Sequence, residues 1–266
     1  MIAKTISPLL VALVATATAS SAWALPEATG SSVANGTYSV TNGSKISDGS
    51  LKEVDSGAYV SVEATKSGSG FLASAEAVGG SLKAIASTSY APALGWAAST
   101  TADATASFTD YVVFTGGAGV SSANLLASLS GSLTGGQIGG RAGYIYNVDL
   151  FEVASPLSSE TLVSESRTVF GSRTVTLNDT LESGFDFTFG KTYGLTATLT
   201  LEARDGGVAD FADTAKLNFA VASGVGLVSA SGYGYNVAAV PEPQTYAMLL
   251  AGLGMIGAIA RRRSKL

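Results

Sequence analysis

The chain has 266 residues, 46% of them apolar and only 13% charged, which is enough to bury one sizeable core. It contains no cysteine and no histidine; this excludes disulfides, Cys or His metal centres, a Cys nucleophile and a Ser-His-Asp triad. The low charge together with 32 glycines argues against both a disordered tail protein and a coiled coil.

Residues 1–24 have the pattern of a cleaved signal peptide. Lys4 is the only charge ahead of an apolar run at 9–15, and Ala22-Trp23-Ala24 forms a small-x-small cleavage site defined by Ala22 and Ala24. The mature chain is therefore expected to start at Leu25, with Ala17-Thr18-Ala19 as a competing site. Pro8 shortens the apolar stretch, which suits a removed segment better than an anchor.

The expected body is residues 25–240. Of the 15 basic residues, Lys4 and four in the tail lie outside it, and of the 20 acidic residues only Glu242 does, leaving 10 against 19 and a net charge of −9. Such a field repels nucleic acid and anionic lipid, and it is compatible with weak Ca²⁺ attraction.

Within the body the dominant period is two. Residues 185–189 (Phe-Asp-Phe-Thr-Phe) and 195–201 (Leu-Thr-Ala-Thr-Leu-Thr-Leu) alternate apolar with polar, as half-buried strands do. Further strands are predicted at 59–64, 82–90, 108–114, 125–133, 144–153, 168–177, 216–221 and 225–230. Turns are predicted at Asn35-Gly36, Asn42-Gly43, Asp48-Gly49, Gly79-Gly80, Gly116-Gly117, Gly135-Gly136, Gly139-Gly140 and Asp205-Gly206-Gly207. The alanine-rich stretch 73–106 leans toward strand because Leu82, Ala84, Ala86 and Thr88 alternate with polar residues. The fold class expected is all-β, an antiparallel β-sandwich of jelly-roll type, with a β-solenoid second. Residues 25–54, rich in Gly, Ser and Asn, are expected to include a loose leading segment.

Chemical signals in the body are sparse. Asp205, Asp210 and Asp213 have oxygens to offer Ca²⁺ but lack EF-hand spacing, and are read instead as turn acids. Glu160, Glu165, Asp179 and Glu182 are candidates for a glycosidase acid-base pair that only the fold can assemble. Among Tyr90, Trp96, Tyr144, Tyr146, Tyr193, Tyr233 and Tyr235, the Tyr233-Gly234-Tyr235 pair is expected to be the exposed one, a possible stacking platform for sugars. Catalytic, metal and cofactor residues are assigned to none of these positions.

The tail runs from 241 to 266. Pro241-Glu242-Pro243 is stiff and short of backbone donors, so it stays extended. An uncharged run at 246–260 comes next, about 22 Å of helix against about 30 Å of hydrocarbon, so it is a short single transmembrane helix. Arg261, Arg262 and Arg263 open a basic tail at 261–265 that holds this end on the cytoplasmic side as a stop-transfer. A buried core helix and a plain stalk are the alternatives. Gly252-Leu253-Gly254-Met255-Ile256-Gly257 matches a dinucleotide fingerprint only formally, since no strand precedes it.

Val240-Pro241-Glu242-Pro243, the Leu249-Leu250-Ala251-Gly252-Leu253 stretch and Arg261 to Arg263 closely resemble the PEP-CTERM sorting signal. The resemblance covers about a tenth of the chain. It implies a Gram-negative bacterium, export, transient residence in the inner membrane, exosortase as partner, and a cell-surface or extracellular destination in the exopolysaccharide or biofilm layer. The same tail is also labelled an ice-binding protein C-terminal domain; that label describes the sorting tail. Residues 209–215 and 223–232 are similar to a stretch seen before the signal in such proteins, with Leu217, Phe219 and Val221 as its inward face. The expected function is a non-enzymatic surface or matrix protein; the alternatives are a glycan-binding module or adhesin and, third, a matrix-polymer hydrolase. Ice binding is a fourth idea, and no fixed Thr-x-Thr repeat spans the chain to support it.

Overall fold

The computed structural model describes residues 25–39, 45–55, 61–68, 70–89, 99–136, 139–154, 159–235 and 237–240. These form fourteen strands: β1 (Thr29–Ser39), β2 (Lys45–Asp55), β3 (Ser61–Gly68), β4 (Phe71–Val78), β5 (Ser81–Thr88), β6 (Ser99–Thr115), β7 (Val120–Thr134), β8 (Arg141–Glu152), β9 (Ser159–Phe170), β10 (Thr174–Thr188), β11 (Thr192–Arg204), β12 (Val208–Ala222), β13 (Gly226–Ser229) and β14 (Val237–Val240). Among the described residues no helix occurs, and every ladder is antiparallel except that of β12 with β14.

Two seven-stranded sheets result. One runs β2-β1-β6-β11-β8-β9 with β13 also on β6; the other runs β10-β7-β12-β5-β4-β3 with β14 also on β12. In the central eight strands β5 pairs with β12, β6 with β11, β7 with β10 and β8 with β9. This nesting is the winding of a jelly roll, extended by the β1–β2 and β3–β4 hairpins. A solenoid would stack each repeat on the next at one short, fixed separation; the antiparallel pairing of 82 with 215 and 104 with 201 rules that out.

The sheets face each other across one core whose side-chain size is graded. At one end Ala34, Ala73, Ala75, Ala84, Ala102 and Ala104 are buried, so the sheets can approach closely there. At the other end Phe114 on β6 stacks on Phe187 of β10 at 4.0 Å and meets Phe219 of β12 edge-on at 5.7 Å, wedging the sheets apart with aromatic volume. Several outward positions carry Thr pairs alongside ion pairs such as Lys83–Glu76 and Arg141–Glu202. Thr105 and Thr200 bond across β6 and β11 at 3.3 Å, Thr109 and Thr196 at 3.0 Å, and Thr134 and Thr174 across β7 and β10 at 3.0 Å.

Three expectations are corrected. The leading segment is not loose: β1 and β2 form an eleven-residue hairpin ladder added to β6. Asn35-Gly36 and Asp48-Gly49 are not turns; Asn35 pairs with Gly49 and Gly36 with Asp48 inside that ladder, because pairing on both sides of β1 outweighs the turn preference of Asn-Gly. Residues 168–177 are likewise not one strand. Gly171, at φ 66°, breaks them into the end of β9 and the start of β10, which lie in different sheets.

Candidate functional site at the C-terminal junction

The end of the body is built into both sheets. Along β6, β1 stops where Thr29 pairs with Thr109, and β13 takes over the same side at 112–115. Along β12, β5 stops where Ser81 pairs with Lys216, and β14 takes over at 219–222. β13 and β14 therefore cover two gaps that would otherwise expose backbone donors and acceptors, and the residues joining them cross from one sheet to the other.

Asp110 holds this crossing in place. It lies on the inward side of β6 and is fully buried. Its Oδ1 accepts the Tyr111 N–H at 2.8 Å and the Ser231 N–H at 3.0 Å; its Oδ2 accepts the Ser231 hydroxyl at 2.5 Å and the Tyr235 hydroxyl at 2.9 Å. A carboxylate is tolerated in a core when its lone pairs are filled in this way. Burial first, and then the charge and hydrogen bond of Asp110, hold the Tyr235 phenol well above its ordinary pKa, so it remains a donor. The same segment is bound by Ala230 N–H to Tyr111 O at 2.8 Å and by the Ser229 hydroxyl to Tyr233 O at 2.8 Å. Tyr233 lies over the β4–β5 turn: Gly80, at φ 74°, brings its backbone so close that a Cβ there would sit 2.1 Å from the Tyr233 ring.

Sequence reading overlooked Asp110, although a signal was present. It shares parity with Phe108, Val112 and Phe114, so in a period-two strand an acid at that position must point into the core.

A cleft lies on the open side between edge strands β9 and β10. One part, about 240 Å³, is lined by Val120, Phe151, Glu152, Glu160, Asp186 and Tyr193; it adjoins a second of about 420 Å³ that shares Glu160 and Asp186 and adds Asn124. Glu152 is paired with Lys191 at 2.8 Å, and Asn124 donates to Glu182 at 2.6 Å. Glu160 and Asp186 are exposed. This cleft can offer carboxylate acceptors beside apolar surface to a hydroxyl-bearing ligand.

The acids singled out from the sequence are dispersed over the fold. Glu160 and Glu165 lie on β9, Asp179 and Glu182 on β10; Glu160 alone of the four lines the cleft. Glu165 and Asp179 both approach Tyr144, whose pKa is pushed up to about 12 by burial first and then by those two charges, against Arg167. Asp205 acts as a turn acid: at φ 48° its Oδ1 accepts the Thr100 N–H at 2.9 Å. Asp210 bonds the Ala212 N–H at 3.0 Å beside the irregular pairing of β12 between Phe211 and Ala215. The side chain of Asp213 lies outside the described residues, and among those described no group of three His, Cys, Asp or Glu side chains is placed to hold a metal. Phe211, Leu217, Phe219 and Val221 all face the core.

The aromatic platform needs correction. Tyr235 is buried at 3% exposure and Tyr233 is half-buried, because both are taken up by the Asp110 crossing and the β4–β5 turn. Tyr144, Tyr146 and Tyr193 are core residues, while Tyr90 and Trp96 lie outside the described residues. So do Ala22, Ala24, Pro241, Glu242, Pro243, the 246–260 run and Arg261 to Arg263. Among the described residues no helix is long and apolar enough to cross a membrane.

The role of the segment beyond Val240 is decided by comparison with known families. The PEP-CTERM protein-sorting motif matches residues 239–264. The chain carries a PEP-CTERM sorting signal. Such a signal is recognised by exosortase and marks an exported protein. The match begins inside β14, at Ala239, so signal and folded body meet without an intervening linker. No curated protein matches the chain at a significant level.

Proposed function

We propose that this is a non-enzymatic cell-surface or matrix protein of a Gram-negative bacterium. It passes through the inner membrane, is processed by exosortase at Pro241-Glu242-Pro243, and takes its place in the exopolysaccharide layer. The observation that carries this reading is the sorting signal at 239–264 joined directly to the last strand of the β-body. The outward Thr pairs support it, being uncharged and matched in chemistry to a hydrated, hydroxyl-rich surrounding. The proposed role calls on no cofactor.

Intact mass of the surface or secreted form, from cells with and without exosortase, tests it. The expected species begins at Leu25, ends within 241–244 and is lost when the enzyme is absent. A mass extending to Leu266 in both strains would make the tail a permanent anchor and overturn the processing part.

The β9–β10 cleft favours a second reading, a glycan-binding module or adhesin. Its exposed Glu160 and Asp186 stand beside Phe151, and a hydrogen bond to a charged acceptor is worth about 1.5–3 kcal/mol. The pair Glu160→Gln with Asp186→Asn is then expected to lower retention on the organism's own polysaccharide about tenfold. Unchanged retention would remove this reading.

A further inference from the structure

We infer that β14 is a detachable leash for the sorting signal and that Asp110 is the positioning residue that fixes where the leash begins. The inference rests on the reading of this chain as an exosortase substrate. Pro241 follows Val240 directly, and Val237 to Val240 are laid along β12 opposite Phe219 to Ala222. The family match also starts within this strand. A processing cleft that takes an extended chain at Pro241 to Pro243 needs backbone on the amino-terminal side as well, and that backbone is engaged by β12 while β14 is docked.

Two attachments compete to let go. β14 is a four-residue parallel pairing at the end of the body, the weaker kind of ladder. The crossing before it is held by three hydrogen bonds to a buried carboxylate, by Tyr235 packed on Phe219 at 5.4 Å, and by Tyr233 over Gly80. The strand therefore peels first, and the peeling stops at Tyr235. Residues 236–240 are then free to span about 17 Å at roughly 3.4 Å per residue, enough to bring the signal into a cleft while the body stays folded beside it.

The full chain, expressed with exosortase and followed by pulse-chase and intact mass, tests this with three variants. Deletion of 237–240 is expected to slow processing at least about tenfold, because the remaining chain cannot span the distance. Replacement of the same four residues by Gly-Ser-Gly-Ser is expected to keep or raise the wild-type rate, since only length is needed. Asp110→Asn added to the deletion is expected to restore processing, because the loosened crossing supplies the missing length; a merely structural role for Asp110 would slow it further. Wild-type processing of the deletion variant, slow processing of the Gly-Ser variant, or failure of Asp110→Asn to restore the deletion would each overturn the inference. Failure of the wild-type chain itself to be processed would instead overturn the exosortase reading on which it stands.

Discussion

Asp110→Ala is expected to destabilise the body by about 3–5 kcal/mol, the range for removing one partner from a buried charged network. The substitution strands the Ser231 N–H, the Ser231 hydroxyl and the Tyr235 hydroxyl in a site that water does not reach, and each unsatisfied donor costs about 1–3 kcal/mol before relaxation. The loss is less than the sum of three because the crossing can lift away and hydrate its donors. Denaturant unfolding of the purified chain measures the total. Limited proteolysis should show the first new cuts within 225–236, ahead of the rest of the body. A change under about 1 kcal/mol with no cut there would mean that the crossing is held mainly by Tyr233 and β13.

Phe114→Ala is expected to cost a comparable amount, about 3–5 kcal/mol, by a different route. The Phe114 ring is fully buried where the two sheets meet. Besides its stack on Phe187 and its edge contact with Phe219, it lies 6.1 Å from Tyr193 and 6.0 Å from Phe185. Truncation removes its transfer free energy and leaves a cavity that four neighbouring rings on strands pinned in two sheets cannot close. Phe114→Leu, which keeps most of the volume, should cost less than half as much. Equal losses for the two variants in equilibrium unfolding would show that aromatic geometry dominates over volume.

These two positions show what could be read in advance. Phe108, Asp110, Val112 and Phe114 share one parity, so both the buried ring and the buried acid are implied by alternation alone. What Asp110 would bond was hidden, since Ser231 lies 121 residues away along the chain and Tyr235 125. The Tyr233-Gly234-Tyr235 segment misled for the same reason. Its composition looks like a surface turn, and only the ends of β1 and β5 leave room for β13 and β14, between which it must cross. Residues 25–54 looked loose because Gly, Ser and Asn weaken a strand taken by itself; pairing against β6 supplies what local preference lacks. The cleft could not be found from spacing, because Glu160 and Asp186 sit on edge strands of different sheets.

By itself the sequence determined the all-β class, the inward parity of most strands and the sorting signal, because each depends on residues within a few positions of one another. The tertiary structure alone decided which strands pair, that the end of the body bridges both sheets through Asp110, and that the signal leaves the fold without a linker. Those outcomes turn on where one strand stops and another takes its place, and that is settled by packing and backbone pairing between segments far apart in the chain.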